Sequence, residues 1–118
     1  MKKFAGIISS APYGTRTAKS ALDVIMACAA FDHPPDLFFA DDGVLQLIKT
    51  QQAALIAQKN IASVLKSLPL FEINNIYVCN KSLAERNITV DNLILTPYCF
   101  AQQELPGLLK HYAVILTF

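Results

Sequence analysis

A chain of 118 residues can bury one core and has no room for a second, so a single domain over residues 1–118 is expected. Its composition is 53% hydrophobic and 16% charged, against about 25% charged in ordinary soluble domains. This forecasts apolar surface that another subunit would cover. Ten basic residues against nine acidic leave a formal charge of +1, which excludes the basic field that drives direct nucleic-acid contact.

Taken in chain order, "MKKFAGIISSAPYG" opens with two lysines and a short apolar run. That run is shorter than the roughly 7–15 residues of a secretory signal core, and Ser9, Ser10 and Pro12 end it. No stretch reaches the ~18 apolar residues of a membrane span. Residues 3–9 read instead as a first strand, closed by the turn-rich "SAPYGT". From residue 15 to about 31, Ala18, Leu22, Ile25 and Ala29 fall at helical spacing, with a second stripe of Ala21, Val24, Cys28 and Phe31 beside it. Such a helix packs on a sheet with one face and offers another to a partner. "DHPPD" stops it.

"DLFFA", residues 36–40, predicts a second strand buried on both faces, and "DDGVLQLI" a turn into a short helix or loop. Residues 51–68 place Ala54, Ala57, Ile61, Leu65 and Leu68 on one helical face. A third strand is expected at 72–78, a short helix from Cys79 to about Arg86, and a fourth strand at 92–97, ended by Pro97. "QQELPGLLKHY" reads as a short helix that Pro106 either starts or kinks, and "AVILTF", 113–118, as a closing strand tied into the sheet or an interface. Short apolar runs alternating with helical periodicity predict an α/β fold with a mainly parallel five-stranded sheet flanked by helices.

Reactive groups in such a sheet gather beyond the carboxyl ends of strands. The "SSAPYGT" turn is one place to look, but Gly14 alone makes no phosphate loop, and a structural turn with Thr15 or Thr17 capping a helix explains it as well. Cys79 is the other. A thiol at a helix N-terminus meets the positive end of the macrodipole, with Lys81 and Arg86 following. The same residue is equally a small apolar core side chain, and residues alone leave both readings open. Cys28 reads as core and Cys99 as a loop residue after "TPY". His33 and His111 read as surface or capping residues, and Asp41 and Asp42 as turn residues. Three cysteines at these spacings make no C-x-x-C or zinc pattern, so no metal or cofactor is expected, and a reducing cytoplasm fits them. Asn87-Ile88-Thr89 matches a glycosylation acceptor by chance in a chain with no secretory route.

"SSAPYGT", "FFADDGVLQLI", "IYVCNKSLAERNI" and "HYAVILTF", in that order, resemble the DsrE/DsrF-like sulfur-relay proteins over essentially the whole chain, and within them the TusC, or DsrF, type. The resemblance implies a cytoplasmic dimer of heterotrimers with homologous TusB-like and TusD-like subunits. That complex would relay persulfide sulfur toward 2-thiolation of a tRNA wobble uridine, with no direct nucleic-acid contact by this chain. It implies that the sulfur-carrying cysteine of the TusD type stands where Cys79 stands here, and that the TusC type is a non-catalytic partner. Two alternatives remain within it, a Cys79 persulfide carrier and a DsrF-type subunit of an oxidative sulfur pathway. Outside it stands an unrelated α/β domain binding a small molecule near Tyr13, Asp42 and Cys79. An isolated chain is expected to cover its apolar stripe with a copy of itself.

Overall fold

Four apolar runs, each followed by a helical segment, and a fifth at the chain end pair without a single hairpin, because helical connections return the chain to the same end of the sheet each time. The computed structural model describes residues 4–9, 17–30, 34–47, 66–93 and 97–118. The strands are β1 (Phe4–Ile8), β2 (Asp36–Phe39), β3 (Ile76–Cys79), β4 (Tyr98–Phe100) and β5 (Val114–Thr117), in the spatial order β4-β3-β2-β1-β5. All four pairings are parallel, so the mainly parallel sheet that the pattern predicts is wholly so. The helices are α1 (Thr17–Ala30), α2 (Asn80–Glu85) and α3 (Leu105–Leu109), with 3-10 turns at Asp41–Leu47, Leu68–Phe71, Val90–Asn92 and Gln102–Glu104.

From β1 to β4 the chain steps outward one neighbour at a time, then returns to the far edge as β5. Right-handed crossovers put the outward connections on one face and the return on the other. The side chains divide that way. Ile8, Leu37, Phe39, Ile76 and Val78 meet Ile25 of α1, Val44, Leu47, Leu68 and Ile73 of the β2–β3 connection, and Leu83 of α2. On the opposite face Ala5, Phe38, Cys79 and Phe100 meet Leu105, Leu108, Leu109 and Tyr112 from the return.

That second face is largely aromatic. Phe38 stacks on Tyr77 with ring centres 4.6 Å apart and planes 9° from parallel, and takes Phe100 and Tyr112 edge-on at 5.8 and 5.7 Å. Tyr77 in turn lies 5.7 Å from Tyr98 on the edge strand. Such pairs contribute about 0.5–1.5 kcal/mol each beyond the area they bury. At the amino end of β2 the Tyr112 hydroxyl donates to Asp36 Oδ2, and Asn75 Nδ2 donates to Asp36 Oδ1 at 3.0 Å. Burial first, and the Asp36 carboxylate second, push the Tyr112 hydroxyl well above its ordinary range.

The α1 helix confirms its two-faced reading where its side chains are described. Ile25 is buried and Ala29 packs on the core, while Val24 is exposed and Cys28 half-buried, so Cys28 lies on the flank of the helix and not in the core. Residue 118 is tied in: the Phe118 N–H donates to the Ile7 carbonyl at 2.8 Å, and the Ser9 N–H and hydroxyl donate to the Phe118 carbonyl at 2.9 and 3.0 Å. Pro106 falls in the first turn of α3 and so starts its regular part.

Two strand boundaries differ from the pattern. The third strand begins at Ile76, not at residue 72, because Pro69 opens a 3-10 turn that Glu72 closes in the left-handed region at φ 64°, its N–H donating to the Pro69 carbonyl at 3.1 Å. A strand, β4, follows Pro97, while the strand expected at 92–97 falls partly on residues 94–96, which lie outside the described residues. Residues 90–92 form a 3-10 turn, and a proline, having no N–H for the ladder, stands just before the strand. Cys99 is consequently a strand residue, exposed on β4, and not a loop residue. The helix expected at 51–68 lies outside the described residues except for its helical end at 66–67, as does most of the "SSAPYGT" turn.

A hydroxyl raised above its unfolded value of about 10 adds stability that is complete below pH ~10 and is lost as pH climbs beyond it. Urea midpoints followed from pH 9 to 12 should therefore fall more steeply in the native chain than in Tyr112→Phe; equal slopes would remove the Tyr112 hydroxyl from the alkaline behaviour.

Candidate functional site

Cys79 closes β3 and is the N-cap residue of α2, with extended backbone at φ −76° and ψ 119°. This is the strand-end, helix-start position that the sequence predicts. Two features separate it from an exposed nucleophile. The residue is only 3% exposed, packed in the cluster with Ala5, Phe38 and Phe100. Its side chain also makes no capping hydrogen bond to the first turn of α2, which at six residues is short for a macrodipole.

The cations that follow it are turned elsewhere. Arg86 Nη2 and Nε donate to Asp42 Oδ1 at 2.9 and 3.3 Å, and Nη1 to the Ser82 carbonyl at 3.2 Å. Its charge is balanced by the turn after β2, not directed at the thiol. Lys81 is exposed. The α2 helix ends because Asn87 takes the left-handed conformation, φ 55°, that such a stop requires, and Ile88 N–H then closes on the Leu83 carbonyl at 3.0 Å.

Asp41 and Asp42 lie where turn residues were expected, at the start of the 3-10 turn after β2, with Asp41 at φ 49°. The Asp41 N–H donates to the buried Ser82 hydroxyl at 2.9 Å, which joins the β2 turn to α2. Gly43 lets that turn cross the end of β1: a Cβ at this position would lie 1.9 Å from the Ile8 carbonyl oxygen. Ser82 and Gly43 are the residues that sequence reasoning missed here. Gly43 stood in "DDG", a turn signal with no hint of its close approach, and Ser82 finds its partner 41 residues away.

His111 is exposed in the turn after α3, far along the chain from any of these groups, while His33 and Tyr13 lie outside the described residues. Among the described residues no three His, Cys, Asp or Glu side chains are grouped to hold a metal ion. No helix among them is long and apolar enough to cross a membrane. Among the described residues, the carboxyl end of the sheet thus sets an Arg86–Asp42 pair beside a sheltered thiol.

Gly43→Ala should cost about 3 kcal/mol or more, since backbone must move to admit the methyl group. Ser82→Ala should cost about 1–2 kcal/mol by leaving the Asp41 amide unpaired. Urea unfolding of both variants checks the order; a Ser82→Ala loss larger than that of Gly43→Ala would contradict it.

A model of the DsrE/DsrF-like family matches residues 2–118. A "Protein TusC homolog" of Pseudomonas aeruginosa is 35% identical over 111 residues, covering 94% of this chain and 93% of that protein. A "Protein TusC homolog" of Pasteurella multocida is 36% identical over 118 residues, covering 98% and 99%. The crystal structure of the ychN protein from E. coli superposes with a TM-score of 0.83 over 100% of both chains at 22% identity, a likeness of fold. Matched along its length in sequence and in the order of its strands, the chain belongs to the DsrE/DsrF-like family.

Proposed function

We propose that this chain is a subunit of a TusBCD-type sulfur-relay complex, acting as one domain in the cytoplasm and serving mainly in assembly beside TusB-like and TusD-like siblings. The observation that carries the reading is the shelter of Cys79, at 3% exposure, beside an Arg86 already paired with Asp42. Full-length similarity to two proteins named as TusC homologues supports the choice of complex. An aromatic sheet face with Tyr98 at 63% and Ile115 at 43% exposure supplies apolar surface for siblings to cover.

The position of Cys79 at a strand end favours a second reading, in which it carries sulfur. Its thiolate would attack the outer sulfur of a donor persulfide, forming a new Cys79 persulfide and releasing the donor thiolate, with no net redox change. In the relay, the acceptor at the end of the sequence would be the wobble uridine of a tRNA. A DsrF-type role in oxidative sulfur metabolism would keep the same subunit geometry and change the pathway.

Co-expression with the sibling subunits, with and without Cys79→Ser, separates these readings when assembly is followed by light scattering and 2-thiouridine by nucleoside mass spectrometry. Assembly with thiolation retained in Cys79→Ser, and thiolation lost when the whole chain is omitted, is the expected result. An assembled Cys79→Ser complex without thiolation would replace it with the carrier reading, and thiolation indifferent to the whole chain would remove tRNA as the destination.

A further inference from the structure

The return segment, which packs on the cluster that holds Cys79, is weakly held along its length and fastened at its far end. β4 finishes at Phe100, in register with Cys79 on β3, and the chain then turns back over the same face. Residues 102–112 therefore run from the carboxyl end of the sheet, beside Cys79, to the amino end, where Tyr112 reaches Asp36. At the near end Glu104 Oε1 accepts the Ala101 N–H at 2.8 Å, closing the segment's own first turn without tying it to the sheet. At the far end Asp36 accepts the Tyr112 hydroxyl and is itself held by Asn75 at 3.0 Å.

Along residues 102–112 no residue is fully buried. Leu105, Leu108 and Leu109 pack on the Phe38–Cys79–Phe100 cluster while remaining half-buried, and a Cβ on Gly107 would meet nothing within 4 Å. Five helical residues are far below the ~12–15 that an isolated helix needs, so α3 exists through its contacts and not its propensity. Cys79, by contrast, sits in a ladder paired on both sides of its strand. Baring its thiol by detaching the return segment costs a few half-buried contacts; baring it by parting the strands costs the sheet.

We propose that residues 102–112 are a lid over the Cys79 thiol, latched at the far end by the Tyr112–Asp36 hydrogen bond. The thiol is reached through a local opening of this lid in the folded protein, whether it carries sulfur or only fills the core. The latch residues lie at the opposite end of the strands from the thiol they protect, so they act on its access and not on its chemistry.

The full chain tests this by maleimide labelling under native conditions, with each cysteine quantified by mass spectrometry. Exposed Cys99 supplies the fast internal reference. Tyr112→Phe keeps the ring against Phe38 and removes the latch, and Cys79 labelling relative to Cys99 should rise roughly tenfold, as loss of one hydrogen bond to a charged group predicts. An unchanged ratio overturns the proposal. The native chain gives a second reading that needs no variant: Cys79 labelling should be nearly independent of urea well below the unfolding transition. Labelling with the full urea dependence of global unfolding would mean that no lid opens, and would equally overturn it.

Discussion

The single return of the chain from β4 to β5 governs what is buried on the second face of the sheet. Three outward steps load one face with α1, the β2–β3 connection and α2, and one step back loads the other with a single short helix. Right-handed crossovers allow no other division. The under-covered face is accordingly built of side chains that stabilise one another laterally. Phe38 alone touches Tyr77, Phe100 and Tyr112 ring to ring, and a fully buried ring of this kind contributes about 1.5–3 kcal/mol by area alone. Toward the edges the cover runs out, which leaves Tyr98 and Ile115 in water. Part of the apolar surface left exposed among the described residues thus lies on the edge strands.

At the carboxyl end of the sheet the organising fact is charge balance. Arg86 is shared between Asp42 and the Ser82 carbonyl, and Ser82 in turn anchors Asp41. An exposed pair of this kind contributes only about 0–1 kcal/mol, so its effect is geometric: it fastens the turn after β2 to the helix after β3. Cys79, at the start of that helix, gains a fixed position while Arg86 is engaged by Asp42. A partner meeting this surface meets shape and apolar area more than field, in keeping with a net charge of +1.

The sequence made local order legible and long-range contact illegible. β1, β2, α1 and β5 announce themselves through periodicity, and Cys79 was placed at a strand end by the change from apolar to polar after Val78. The misplaced boundaries both sit at prolines. Pro69 turned part of an apolar run into a 3-10 turn, and Pro97, expected to end a strand, stands just before β4. Burial of Cys79 could not be read at all, because its cluster partners Ala5, Phe38 and Phe100 lie far from it along the chain. The Tyr112–Asp36 contact spans 76 positions, and nothing in either local pattern points to the other.

The thin cover over Cys79 couples the fold to assembly. A five-residue helix borrows its stability from the sheet face beneath it, so any partner that packs over α3 and the aromatic edge binds the closed arrangement and stabilises it by mass action. A sulfur donor needs the opposite arrangement, with the thiol bared and the lid displaced. Assembly and sulfur transfer through Cys79 therefore draw on the same equilibrium with opposite sign. A sibling that covers this face makes the thiol less reachable, which is sensible if the relay's working cysteine belongs to that sibling. A carrier role for Cys79 would require the complex to hold the lid open, against both the Tyr112 latch and the packing of the three leucines of α3. On the function proposed for this chain, the closed lid, the paired Arg86 and the wet aromatic edge belong to a surface on which siblings assemble.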